Sequence, residues 1–206
     1  MWTIIGTKGC GSVILEAALT LAGIAYVHEE IDYSAPGPGR DRLLAANPLG
    51  QVPTVIMPDG VVMSETAALI LHIDDLVPSA GLLPTAVDPV RRTALRWLVF
   101  VVAAVYPTFT YGDEPAKWVG DAGEALRAST DAHRQKLWLQ LESTALSTPG
   151  PLFLGSRWSA LDIYVCAMTR WRPGRAWFAT NTPKLHAIAL AGDADPRLAA
   201  LWAANF

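Results

Sequence analysis

The fold can be inferred from two short stretches, Asn47-Pro48-Leu49-Gly50-Gln51-Val52-Pro53-Thr54-Val55 and Ser64-Glu65-Thr66. Pro53 stands at the start of an apolar strand, where proline is tolerated. With a cis Val52–Pro53 bond the chain would bend, and the N–H and C=O of Val52 would face outward to pair with an extended peptide. A trans bond is the alternative, since only about 5–6% of X-Pro bonds are cis.

Ser64-Glu65-Thr66 opens a predicted helix directly after a predicted hairpin. The unpaired N–H groups and the dipole at a helix start attract a carboxylate. Thr66 adds a hydroxyl donor, and the carboxylate of Glu65 could hold an ammonium group. Plain N-capping of the helix is the structural alternative. Beside Val52, these groups would suit a small peptide with a free amino-acid end.

Residues 1–78 are predicted to alternate strands and helices in the order βαβαββα. The strands are Trp2–Gly6, Tyr26–Ile31, Val52–Met57 and Val61–Met63, and the helices are Val13–Ala22, Asp41–Ala46 and Glu65–Leu76. The first βαβ unit requires a parallel strand pair. Pro58-Asp59-Gly60 is typical of a tight turn, so the last two strands form an antiparallel hairpin.

Residues 89–206 have helical periodicity throughout. The predicted helices are Pro89–Tyr106, Ala122–Leu146, Ala160–Arg170, Pro183–Ala191 and Pro196–Ala203. Residues 1–78 carry a net charge of −6 and residues 79–206 one of +3, and seven of the eight tryptophans lie in the second part. Together with the turn-forming residues that begin at 78, this shift predicts two domains, 1–78 and 89–206, joined by a linker over 79–88.

The composition excludes several classes of protein. A net charge of −3 and a pI near 5.8 argue against binding to nucleic acid or to an anionic membrane. The longest apolar run, Trp97–Tyr106, is too short to span a bilayer and predicts a core helix. Two cysteines make no disulfide framework, and no Cys/His cluster has zinc spacing, so we predict no metal site. Without a basic N-terminal region, a cytoplasmic location is expected.

Val52-Pro53 and Glu65-Thr66, at this spacing and in the βαβαββα order, resemble the glutathione transferase superfamily. The resemblance covers nearly the whole chain and implies a thioredoxin-like N-terminal domain followed by an all-helical C-terminal domain. In the family the Val-Pro pair carries a cis-proline, and a Glu/Gln-Ser pair holds the γ-glutamyl end of glutathione. Here Thr66 replaces the serine and keeps the hydroxyl. The resemblance therefore implies glutathione-binding residues at Gln51, Val52, Pro53, Glu65 and Thr66.

The family stabilises the glutathione thiolate with a donor in the loop after the first strand. Here that loop runs from Gly6 to Ser12. Cys10 resembles the cysteine that the family's beta class uses there, and Thr7 and Ser12 are hydroxyl alternatives. A thiol at the start of a helix is favoured as a thiolate and could form a mixed disulfide with glutathione. The alternative is that Cys10 is a small loop residue with no role.

The resemblance implies an enzyme that conjugates glutathione, as co-substrate, to a small hydrophobic electrophile. Tyr106, Phe109 and Tyr111 are candidates for the wall of the electrophile pocket, which the family places between its domains; ordinary core packing is their alternative. Other glutathione chemistry on the same fold (disulfide reduction, peroxide reduction or isomerisation) and a non-catalytic binding module also stay open. The opposite charges of the two parts suggest a homodimer.

A second mark is the stretch Trp158-Ser159-Ala160-Leu161-Asp162-Ile163, just before an apolar helix. Ser159 and Asp162 have the spacing of a capping box, with Asp in the place of Glu. The glutathione transferases have a similar box at a buried helix of their second domain. We interpret Asp162 as structural and not catalytic.

Overall fold

The computed structural model describes residues 1–206, in the case of Leu146 the backbone alone. The contacts divide the chain into two compact units, one made of 1–83 with 193–206 and the other of 84–192. The predicted domain boundaries place 193–206 with the helical part, whereas by contact this segment groups with the first unit. The reason is that its helix packs on the first helix of the chain.

The first unit is built on a four-stranded sheet. Its elements in chain order are β1 (Trp2–Gly6), α1 (Ser12–Ala22), β2 (Tyr26–Glu30), α2 (Pro38–Ala46), β3 (Thr54–Ile56), β4 (Val62–Met63) and α3 (Thr66–Leu76). The strand order is β2-β1-β3-β4. β1 and β2 are parallel, and the other pairs are antiparallel. The predicted βαβαββα order, parallel pair and hairpin are confirmed.

The two faces of β1 bury different partners because successive side chains in a strand point to opposite sides. Ile5 packs in one cluster with Ile31 and with Leu43 of α2. Trp2, on the other face, has its ring 6.0 Å from that of His72 in α3. Helices therefore cover both faces of the sheet, which fixes the strand register from both sides.

Two of the differences between the observed and the predicted bounds lie at prolines. β3 begins at Thr54, two residues later than expected, because Pro53 has no N–H to donate to the ladder. α2 begins earlier than expected, with Pro38 in its first turn, where the fixed φ of proline suits a helix.

The second unit is helical. Its elements are α4 (Arg91–Phe100), a π-helical turn (Val101–Val105), α5 (Tyr106–Asp113), α6 (Ala116–Val119), α7 (Gly123–Ser147), α8 (Ala160–Met168), α9 (Arg175–Asn181) and α10 (Pro183–Asp193). α11 (Ala199–Asn205) follows and belongs to the first unit. The predicted thioredoxin-like unit followed by helices is thus the observed fold.

The sequence predicts that the first helix of the second unit ends at Tyr106, before Pro107. In the structure the helix continues to Asp113. The π-helical turn ends at Val105, two residues before the proline. A wider turn changes the hydrogen-bond register, so the helix continues past a residue that cannot donate.

The continuous helix Arg91–Asp113 is long and apolar enough to cross a bilayer. Its buried side chains include Trp97, Leu98, Val101 and Val105. The Trp97 ring packs on that of Phe153, 6.4 Å away, inside the same unit. This packing is that of a core helix, as the sequence predicts.

The start of α8 is held by the predicted capping box. Asp162, fully buried, accepts hydrogen bonds from the Ser159 N–H and hydroxyl and from the Phe153 N–H, at 2.8, 2.6 and 2.8 Å. Burial raises the pKa of this carboxyl to about 6. These three donors are each matched by an oxygen of Asp162, which agrees with the structural role inferred for it.

Replacing the box residues should destabilise the protein unequally. We expect Ser159→Ala to lower the free energy of unfolding by about 1 kcal/mol. Asp162→Ala should cost about 3 kcal/mol, because it leaves buried donors without an acceptor. Denaturant unfolding measures both. Asp59→Ala is the control: Asp59 is exposed and accepts one N–H, from Val61 at 3.0 Å, and its loss should stay within about 0.5 kcal/mol. Equal costs for Asp162 and Asp59 would contradict the role of the buried box.

Candidate functional site

The register of the sheet brings three of the predicted segments to one end of it. Ile5 of β1 pairs with Thr54 of β3, so the end of β1 adjoins the start of β3. Val55 pairs with Met63, so the end of β4 lies at the same edge. The segments that leave or enter there are 7–11, 51–53 and 64–66, which we call the strand-end site.

The Val52–Pro53 peptide bond is cis, the first of the two alternatives that the sequence left open. The sheet ladder begins only at Thr54, so the peptide groups of half-buried Val52 lie outside it. Gln51 is exposed at its side. An extended ligand could pair with Val52 as an added strand.

Two buried residues, Asn47 and Thr54, make hydrogen bonds that stabilise this bend. The Thr54 hydroxyl donates to the carbonyl of Gln51 at 2.8 Å and accepts from the amide nitrogen of Asn47 at 3.0 Å. No role for Asn47 or Thr54 is predicted from the sequence. Their sequence pattern is weakly informative, because a polar residue beside a proline is typical of any turn.

The start of α3 has an unusual backbone. Glu65, the residue before its first turn, has φ 67° and ψ 98°, and it is the one non-glycine residue with positive φ in the described chain. The Leu69 N–H donates to the Glu65 carbonyl at 3.0 Å, so the amides of residues 66–68 precede the helical ladder. The described contacts include no capping bond from the Glu65 side chain to these amides.

This helix start can bind an anion. Its first amides point out of the helix, and the dipole adds positive potential there. The half-buried Thr66 stands at the first helical position, and the exposed carboxylate of Glu65 precedes it. Positive φ outside glycine costs about 1–3 kcal/mol and concentrates at functional sites. A ligand with neighbouring carboxylate and ammonium groups matches this pair.

The loop after β1 carries the three candidates for thiol activation. The Thr7 hydroxyl donates to the Ile31 carbonyl at 2.6 Å, and the buried Ser12 hydroxyl donates to the Thr7 carbonyl at 2.8 Å. Both hydroxyl groups thus donate their protons to backbone carbonyls. Cys10 is half-buried, and its Sγ lies 3.9 Å from the hydroxyl of Tyr33.

Cys10 lies two residues before α1, separated from it by Gly11. The Val13 N–H donates to the Cys10 carbonyl at 3.2 Å, which continues the helical pattern back to this residue. Cys166, the other cysteine, is fully buried in α8. A methyl group added at Gly192 would collide with the Cys166 sulfur, so the two helices touch there. Cys10 is therefore the cysteine that a solution reagent can reach.

A short chain of charged groups supports the other side of this loop. His28 Nδ1 lies 3.0 Å from a carboxylate oxygen of buried Glu16, and His28 Nε2 lies 3.3 Å from one of Glu30. The hydrogen bond to Glu16 raises the pKa of the His28 imidazole against the opposing effect of burial. Glu30 in turn accepts the Lys8 N–H at 3.1 Å.

The three candidates for the electrophile pocket lie on α5 of the second unit. Tyr106 and Phe109 share a partner, Trp171, with ring centroids 5.8 and 5.5 Å away. Phe109 is buried, and the Arg134 guanidinium stands 3.9 Å from its ring centre. Tyr111 is exposed.

Tyr111 packs instead on Trp118, with ring centroids 4.9 Å apart. The structure therefore brings together the first two candidates in one aromatic cluster and places the third in another. Phe109 is the most buried of the three candidates.

The chain is similar to known proteins over most of its length. A family described as glutathione S-transferase, N-terminal domain, matches residues 14–76. The uncharacterized GST-like protein YncG of Escherichia coli K12 is 38% identical over 199 residues, which cover 96% of this chain and 95% of YncG. The chain belongs to the glutathione S-transferase superfamily.

Solved glutathione transferases have the same fold. A homolog from Sulfitobacter with bound glutathione superposes with a TM-score of 0.85 at 24% identity and covers 99% of this chain and 98% of its own. A sphingomonad glutathione S-transferase complexed with glutathione gives a TM-score of 0.81 at 22% identity, over 98% of both chains. The thioredoxin-like unit and the helical unit are thus those of the superfamily.

The backbone at Glu65 gives a stability prediction. The free energy of unfolding of Glu65→Gly should be about 1 kcal/mol higher than that of Glu65→Ala, because glycine adopts positive φ without a Cβ penalty. Both variants lack the carboxylate, so their difference in denaturant unfolding isolates the backbone. The same pair at exposed Asp75, inside α3, is the control, and there alanine should be the more stable by a similar amount. The same sign at both positions would contradict a strained Glu65.

Proposed function

We propose that this protein is a glutathione transferase that conjugates the glutathione thiolate to a small hydrophobic electrophile. One observation carries the proposal: the start of α3, with Glu65 and Thr66, lies at the same sheet end as the cis Val52–Pro53 junction and the Cys10 loop. Groups for a carboxylate, an ammonium, a peptide backbone and a thiol are therefore side by side. Glutathione has all four.

Each part of glutathione has a counterpart in the strand-end site. The γ-glutamyl carboxylate would accept hydrogen bonds from the first amides of α3 and from Thr66, and its ammonium would pair with Glu65. The cysteinyl backbone would pair with Val52, with exposed Gln51 at its flank. Such a pose directs the thiol toward the loop after β1. The Sulfitobacter and sphingomonad structures, which hold glutathione, support the pose by their common fold.

The loop after β1 supplies the means to hold the thiolate. A hydrogen bond from the Cys10 thiol to the glutathione sulfur would favour its charged form, and the proton leaves to water. The thiolate then attacks the electrophile. With a chlorinated nitroaromatic, the carbon–sulfur bond forms and chloride departs with the carbon–chlorine electron pair.

The thiol of Cys10 also favours a second candidate, glutathione-dependent disulfide reduction. The Cys10 thiolate would attack a disulfide of glutathione, form a mixed disulfide and release the other thiol. A second glutathione thiolate would then release Cys10 and leave oxidised glutathione. Assays with a chlorinated nitroaromatic and with a mixed-disulfide substrate separate the two reactions.

The remaining expectations belong to the same proposal. We infer a cytoplasmic homodimer with a role in detoxification, in which the aromatic side chains of Tyr106, Phe109 and Tyr111 contribute to the electrophile pocket. The opposite net charges of the two parts of the sequence support pairing between copies.

Calorimetry with glutathione tests the binding half of the proposal. We expect the wild type to bind at millimolar concentration or below, and Thr66→Val to bind about fivefold more weakly because it lacks one hydroxyl donor. Thr180→Val is the control, because the Thr180 hydroxyl is exposed and bonds only its own helix, at Ala176. Absence of binding in the wild type would overturn the proposal and leave a binding module of another kind.

Turnover tests the chemical half. Cys10→Ala should lower kcat with glutathione and a chlorinated nitroaromatic by about tenfold or more, the effect of losing a donor to a developing anion. Cys166→Ala removes the buried thiol and should keep the turnover of the folded protein. Unchanged turnover in Cys10→Ala would shift the role to Thr7 or Ser12.

A further inference from the structure

Three successive amides of the loop that carries Cys10 are each bound by a side chain from a different element. The Thr7 N–H donates to the Ser12 hydroxyl of α1 at 3.2 Å. The Lys8 N–H donates to the Glu30 carboxylate of β2 at 3.1 Å. The Gly9 N–H donates to the side-chain oxygen of Asn205 in α11 at 3.1 Å. A loop with its amides bound in sequence has few conformations left.

Asn205 of α11 is 196 residues from Gly9 in the sequence, and its two hydrogen bonds fix the orientation of its side-chain amide. Asn205 is the last residue of α11. Its amide nitrogen donates to the Leu201 carbonyl at 3.1 Å, and its oxygen accepts from Gly9. A carbonyl can only accept and an N–H can only donate, so these two partners fix which end of the carboxamide faces the loop.

The backbone of Gly9 allows α11 to lie close to the loop. Its φ is 71°, in the left-handed region, and an added Cβ would lie 3.4 Å from the Asn205 carbonyl oxygen. The residue before Cys10 therefore meets α11 with its backbone.

Apolar side chains dock α11, and its last residue makes polar contacts. Leu198 and Trp202 are buried. Between the helix and the neighbouring α1 and β2 lies a cavity of about 480 Å³, lined among others by Lys8, Glu30 and Asn205. Core packing does not fill this open space beside the loop, and the hydrogen bond between Asn205 and the Gly9 amide spans from α11 to the loop at its edge.

We propose that Asn205 is a positioning residue for Cys10, which fixes the thiol through the Gly9 amide. The inference rests on the proposed function, in which Cys10 contacts the glutathione sulfur. Without this bond the loop populates other conformations, and the fraction with Cys10 in place falls. One net hydrogen bond corresponds to a factor of about five in that population.

The test compares Asn205→Ala with Asn205→Asp, which keeps an acceptor for Gly9, and with Asn181→Ala. Asn181 is a matched control: it too ends a short helix and donates to the carbonyl four residues back, at 2.9 Å. The first readout is the rate of alkylation of Cys10 by iodoacetamide across pH, in the full chain without glutathione. The second is kcat and KM for glutathione with a chlorinated nitroaromatic.

We expect Asn205→Ala to change the alkylation rate and to lower kcat by about fivefold, with KM for glutathione within twofold of wild type, since the binding residues lie on other segments. Asn205→Asp should recover at least half of kcat, and Asn181→Ala should match wild type. A purely structural role would lower the melting temperature and leave the alkylation profile in place, which would overturn the inference. An altered profile in a protein without glutathione turnover would instead support the positioning role and reject the proposed function.

Discussion

The pairing register of β1, β3 and β4 is the constraint on which the site depends. Antiparallel pairing of Ile5 with Thr54 and of Val55 with Met63 gathers two loops and a helix start at one end of the sheet. A shift of a single residue would turn the buried side chains of these strands to the other face, so the two helical layers resist it. The stability of the core and the geometry of the site are therefore set by the same contacts.

Much of this arrangement can be predicted from the sequence because its signals are local. The proline of Val52-Pro53, the turn at Pro58-Asp59-Gly60 and the capping pair Ser159 and Asp162 each have a backbone preference that acts within a few residues. The periodicity of apolar residues then predicts the succession of strands and helices. The observed bounds of β1 and the observed end of α1 equal the predicted ones.

Other features depend on contacts between distant residues and leave no local signal. Asn205 is an ordinary polar residue at a helix end until folding places it against Gly9. Tyr33 comes to Cys10 through the packing of the β2–α2 connection. The continuation of a helix through Pro107 requires a π-helical turn, which propensity does not encode. Short helices such as α6 and α9 lack enough turns for a periodic pattern.

The assignment of 193–206 to the first unit has a consequence for biosynthesis. The ribosome makes 84–192 before it makes the segment that closes over the loop, so the sheet and its first helices emerge long before their last partner. During that interval the Gly9 amide lacks the Asn205 oxygen, and the surface that Trp202 will bury is uncovered. The surroundings of Cys10 are thereby completed only after the helical unit has been translated in full.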